Sequence, residues 1–152
     1  MFPLKSLALI AITTLALTAC GGDKGATGAN ADGVKARQDL MQDWRGANDI
    51  MKGMMEKPDT FDAASFKEQA EFIKNSNDTM WTHFADANAK GESQDAVWSD
   101  AAGFTQAKDK FSVAIINLAE AANTAKVAGD VEQAFGAMAE NCGGCHKVYK
   151  KS

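Results

Sequence analysis

Apolar residues recur at intervals of three and four along four stretches of this chain, and no stretch alternates in the manner of a strand. The first stretch covers residues 34–57. It sets Val34, Met41, Trp44, Met51 and Met55 on one face, widened by Leu40, Ile50 and Met54, and Pro58 ends it. The second begins near Asp62 or Ser65, where Ser65-Phe66-Lys67-Glu68 fits a capping box. It then steps through Phe66, Ala70, Ile73, Asn77, Met80 and Phe84, and residues 87–99 read as a loop. The third starts at about Asp100 or Phe104 and repeats without interruption through Phe104, Ala107, Phe111, Ala114, Leu118, Ala121 and Ala125. Gly129 suits the position beyond it, and Asp130-x-x-Gln133 suits the start of the next helix. The fourth carries Val131, Phe135, Met138, Cys142, Cys145 and Tyr149.

Helices of about 20–24 residues span roughly 30–36 Å each. With short connections and only 2 prolines in the chain, they predict an all-α fold, an antiparallel four-helix bundle.

Two segments precede the helices. Residues 1–19 hold one charged side chain, Lys5, and an apolar run from Leu7 to Leu17. That is the layout of a secretory signal, and the run is shorter than the roughly 20 residues a membrane-spanning helix needs. It ends in Leu17-Thr18-Ala19-Cys20, which resembles a bacterial lipoprotein box. The expectation is cleavage before a lipidated Cys20, which would anchor the protein to a membrane without crossing it. The alternative is an ordinary secretory signal with Cys20 as a spare thiol. Residues 20–33, small and glycine-rich, read as a flexible tether, leaving 34–152 as a single domain.

Charge narrows the partners. Lys and Arg number 16 against 20 Asp and Glu, net −4, and since only Lys5 falls within 1–19 the remainder carries −5. A nucleic-acid or anionic-lipid partner is disfavoured. A basic docking surface on a redox partner is compatible with this balance.

The chemistry concentrates in Cys142-Gly143-Gly144-Cys145-His146. On a helix, positions i, i+3 and i+4 share a face. Two thiols and an imidazole so spaced suit covalent haem attachment, with Cys142 and Cys145 adding to the haem vinyl groups and His146 giving an axial nitrogen. Because both cysteines continue the core stripe, one covalent haem c would stand against the bundle interior near the C-terminal helix. A thioredoxin-type thiol pair would want a strand–turn–helix setting, and none is visible. Structural zinc needs four ligands, and only His83 or Cys20 could complete the set. His83, beside the 87–99 loop, reads as a solvated or locally bonded histidine. Trp44, Trp81 and Trp98 read as packing rings. No acid–base pair, nucleophile–base set or phosphate loop appears, so no enzyme activity is expected.

Three stretches resemble the class II cytochromes c, the cytochrome c′ family: Val34-Lys-Ala-Arg37-Gln38, Val97-Trp-Ser-Asp100 with Phe104, and Cys142 through Lys150. The resemblance spans about residues 34–151. Where the family commonly has Arg, this chain has Lys150, which keeps the charge without the planar fork. The family divides on the second axial position, apolar in the five-coordinate members and methionine in their low-spin relatives. Counted from Arg37-Gln38, that position is Met41, and the resemblance implies that Met41 is the distal iron ligand. Otherwise Met41 is one of 7 methionines in a pliable core. Arg37 and Gln38 either contact a haem propionate or face solvent.

The leading expectation is therefore a periplasmic, lipid-anchored, monohaem electron carrier serving redox partner proteins. The alternative is a five-coordinate haem protein that binds nitric oxide or carbon monoxide. A homodimer is permitted by the first two helices.

Overall fold

A computed structural model describes residues 28–152. The helices are α1 (Gly28–Glu56), α2 (Ala63–Thr82), α3 (Ala96–Ser99), α4 (Ala101–Thr124) and α5 (Glu132–Tyr149), with 3-10 turns at Pro58–Thr60 and Ala128–Asp130. The four long helices make the expected bundle, each packed on the next: α1 on α2, α2 on α4, α4 on α5. The pair that would close the ring, α1 with α5, has no comparable contact. Among the described residues the only strand-like pairing is one antiparallel bridge between Ser93 and Lys150. No described helix is long and apolar enough to cross a membrane. Cys20 and the signal segment lie outside the described residues.

The helix boundaries differ from expectation in three places. α1 begins at Gly28, so the end of the stretch read as tether is helical. Ala31 is a strong helix former, and extending an existing helix avoids the cost of nucleation. Of the two starts expected for α2, Asp62 is the one that caps it, its carboxylate accepting from Ser65 N at 2.6 Å. Asp130 turns backward: it accepts from Lys126 N at 2.8 Å and Val127 N at 3.2 Å and so holds the turn before α5. No side chain caps α5 itself. The expected 87–99 loop contains the single turn α3.

The core follows the stripes. Phe66, Met51, Ile73, Met80, Ile115, Leu118, Met138 and Val131 are fully buried. On α2 the expected stripe is buried through Met80, and Asn77 is its polar member. Asn77 is satisfied there: its amide donates to Ser112 Oγ at 2.9 Å and its oxygen accepts from Trp81 Nε1 at 3.0 Å. On α4 the buried face is wider than the stripe and also takes in Ile115, Ala119 and Ala122, because α4 packs on both α2 and α5. On α1, Ile50 turns out to be exposed and Ala47 buried. An apolar residue at the edge of a stripe faces solvent when the neighbouring helix sits to the other side.

Candidate haem site

α5 presents the cysteines as the stripe predicted, with one difference. Val131, Met138 and Tyr149 on that face are buried, whereas Cys142 and Cys145 are half-buried. The burial thins where the thiols are. Both are free thiols. Cys142 lies against the main core, its Sγ 3.5 Å from Met138 Sδ. Cys145 lies against a second cluster of Val97, Phe104 and Tyr149. One residue further round the helix, His146 is exposed and no hydrogen bond within the described residues engages its imidazole.

The electrostatics separate the possible chemistries. Burial, reinforced by Cys145, pushes the Cys142 thiol up to about 11. Burial raises the Cys145 thiol as well. Thiol–disulfide exchange runs through the thiolate, which both thiols resist forming, so this environment does not suit a redox pair. His146 is exposed as a residue, yet desolvation by its neighbours, then Lys150, holds its imidazole below the usual range. A neutral imidazole keeps the lone pair an iron ligand needs. Zinc has no support either: among the described residues no three His, Cys, Asp or Glu side chains are grouped to hold a metal ion. His83 stands at the C-terminal end of α2, its N–H donating to Met80 O at 3.3 Å.

Met41 and Leu40 on α1 are half-buried against the same core as Cys142. They belong to the helix that leaves its seam with α5 open. Two free thiols on a thinly covered apolar face, a neutral unengaged imidazole and an incompletely closed seam fit a covalently linked haem. Two shallow surface concavities, of about 490 and 270 Å³, lie elsewhere and are lined by none of Cys142, Cys145, His146 or Met41.

Arg37 is neither solvent-facing nor free. It is only 4 % exposed. Its Nη1 donates to His83 O at 3.0 Å, and its Nη2 to Lys90 O at 2.5 Å and to Ala89 O. The guanidinium lies over Phe84, 4.7 Å from the ring centroid. Gln38, next to it, is exposed, as one of its two expected placements required.

The tryptophans pack and bond. Trp44 stacks on Phe111 with centroids 5.2 Å apart and donates to Ser76 Oγ at 2.8 Å. Trp98 donates to Phe84 O at 2.9 Å. Sequence reasoning missed the fixation of α5 at its far end. Tyr149 OH donates to Asp100 Oδ2 at 3.3 Å, while the other oxygen of Asp100 caps α4 through Gly103 N at 3.1 Å. The signal was present in Asp100 as a cap and Tyr149 as a stripe residue, but nothing local joins them across 49 positions.

A family model described as cytochrome c′ matches residues 32–150. A curated relative, cytochrome c′ from Alcaligenes xylosoxydans xylosoxydans, is 31 % identical over 123 residues, covering 79 % of this chain and 94 % of its own. Among solved structures, cytochrome c prime from Alcaligenes xylosoxidans, as a ferrous variant with bound nitric oxide, superposes with a TM-score of 0.75 at 29 % identity, covering 81 % of this chain and 96 % of its own. A carbon-monoxide-bound variant from the same organism gives a TM-score of 0.75 at 28 % identity, covering 81 % and 97 %.

Proposed function

This chain belongs to the cytochrome c′ family, and from that membership we propose that it is an exported monohaem protein whose iron takes up nitric oxide or carbon monoxide. The observation that carries the proposal is the state of the similar structures, which hold those gases. It reorders the expectation from sequence, in which electron carriage stood first. The haem iron supplies the gas-binding centre. The chain would supply the rest: Cys142 and Cys145 would hold the haem, the neutral imidazole of His146 would offer the iron its nitrogen, and Met41 with Leu40 would form the apolar side of α1 that limits what reaches it. Half-buried anchors on an apolar face would hold an attached group partly away from water.

One observation favours a second reading. Met41, half-buried on α1, offers a soft thioether, and a histidine–methionine pair favours reduced iron and electron transfer. Export follows from the signal-like residues 1–19, since c-type attachment takes place outside the cytoplasm; lipidation at Cys20 remains part of the proposal.

The test is the visible spectrum of the haem-loaded protein, ferric and ferrous, with and without carbon monoxide and nitric oxide. A ferrous spectrum that shifts with stoichiometric gas supports the proposal. Sharp low-spin bands unmoved by either gas would reject it in favour of the electron carrier.

A further inference from the structure

Arg37 lies one helical turn before Met41 on α1, and its side chain reaches off that helix into the connection between α2 and α4. Three carbonyls there, of His83, Ala89 and Lys90, receive its two terminal nitrogens, with no carboxylate in the group. A cation buried without a counter-charge is costly unless its donors are satisfied. Here the planar fork and the Phe84 face satisfy it. Lysine offers three N–H donors from one nitrogen and lacks the planar fork that here serves the carbonyls from two separate nitrogens.

The connection then carries the linkage onward. Gly91 adopts φ +47°, and a Cβ at that position would stand 2.7 Å from Val34 Cγ1, so the turn is pressed onto α1. Just beyond it, Gln94 N donates to Tyr149 O at 2.9 Å and Lys151 N donates to Glu92 O at 2.8 Å. Lys151 Nζ donates to Gly91 O at 2.9 Å. The same C-terminal turn is closed by Lys150 N on His146 O at 3.1 Å. Two helices with little direct contact are thus joined through a third element, gripped on one side by Arg37 and on the other by the end of α5.

We propose that Arg37 is a positioning residue: through the 83–94 connection it sets the separation of α1 from α5, and with it the approach of Met41 to the Cys142–His146 turn. As far as gas uptake reports that separation, the inference rests on the function proposed above. Amide exchange reports the clasp without any gas.

The experiment uses the full haem-loaded chain as Arg37→Gln and Arg37→Lys, with Arg45→Gln, an exposed surface variant, as control. In Arg37→Gln, hydrogen exchange at the Gln94 and Lys151 amides rises by about tenfold or more, as local opening becomes easier. The association rate of carbon monoxide rises by about tenfold, and Arg37→Lys restores less than half of either change, while Arg45→Gln changes neither. In a Met41→Ala background, Arg37→Gln alters that rate by less than about twofold, because the residue it positions is gone. Unchanged exchange at Gln94 and Lys151 would overturn the proposal. So would a rate increase of equal size with and without Met41. If the parent protein takes up no carbon monoxide, the gas-binding reading fails and exchange alone decides the clasp. Should Arg37→Gln not fold, Arg37→Lys and Lys151→Ala, which loosens the clasp from its other side, carry the same comparison.

Discussion

Tyr149 and Asp100 meet at 3.3 Å, the phenol of the last residue of α5 donating to the carboxylate that caps α4. Phe104 packs edge-on against the same ring with centroids 5.1 Å apart. The C-terminal end of α5, the helix that carries the candidate attachment residues, is therefore held by an aromatic contact and a shared carboxylate. Gly103 makes the approach possible, since a Cβ there would fall 2.1 Å from Asp100 Oδ2 and 2.7 Å from Tyr149 OH. Tyr149→Phe should lower stability by about 1 kcal/mol. Gly103→Ala should cost about 1–3 kcal/mol, because Asp100 must leave its capping position. Urea unfolding followed by circular dichroism measures both, and a neutral Gly103→Ala would refute the packing.

Removing the anchors tests the site directly. Cys142→Ala with Cys145→Ala should leave no haem that survives acid–acetone extraction, and either single variant should retain haem through one thioether. Covalent haem persisting in the double variant would remove these residues from the attachment role.

Met41→Leu separates the two functional readings. If the thioether is a ligand, the ferric spectrum turns from low-spin to high-spin and the ferrous protein gains carbon monoxide affinity by about tenfold or more. If the thioether only lines the seam, the spin state stays as it was and gas affinity moves by less than about threefold.

Asn77 sits between α2 and α4 with both ends of its amide engaged. Asn77→Ala strands Trp81 Nε1 and Ser112 Oγ and should destabilise the fold by about 1–3 kcal/mol, read by thermal unfolding. An unchanged midpoint would mean that water replaces the amide at no cost.

The haem-free chain should show a pH dependence of its own. The folded-state pKa of Cys142 is raised to about 11, above its ordinary value, so folding favours the protonated thiol. That contribution is complete below the unfolded pKa of about 9 and disappears as the pH rises through about 11. Chemical denaturation at a series of alkaline pH values should show the loss, and Cys142→Ala should flatten it. Equal slopes in the two proteins would contradict the burial of Cys142.

The period of the apolar residues carried most of the architecture. Phe66, Ala70, Ile73 and Met80 are buried as spaced, and Val131 through Tyr149 lie on one face. The candidate attachment residues stood out because their pattern is local, two thiols and an imidazole within five positions. What depends on distant partners was not legible. Asp130 matched a capping pattern but bonds backward, because its nearest free amides belong to the preceding turn. Arg37, read as a propionate contact or a surface residue, has partners 46, 52 and 53 positions away, and no spacing rule connects them. Ile50 followed the helical period but faces outward, because the rotation of α1 is set by its packing against α2.

The thin seam between α1 and α5 bears on how the molecule comes together. Each packed pair joins long helices consecutive in the chain, the longest connection being the one that carries α3 between α2 and α4. The remaining seam joins the first and last of the described helices, which every other helix separates, and it is the contact with the largest loop-closure cost. The three sequential pairs can therefore assemble first as an open fold, leaving the thiols of α5 reachable to the machinery that attaches the cofactor. A haem joined to Cys142 and Cys145 would then be the last piece added to an interior that the helices have already built.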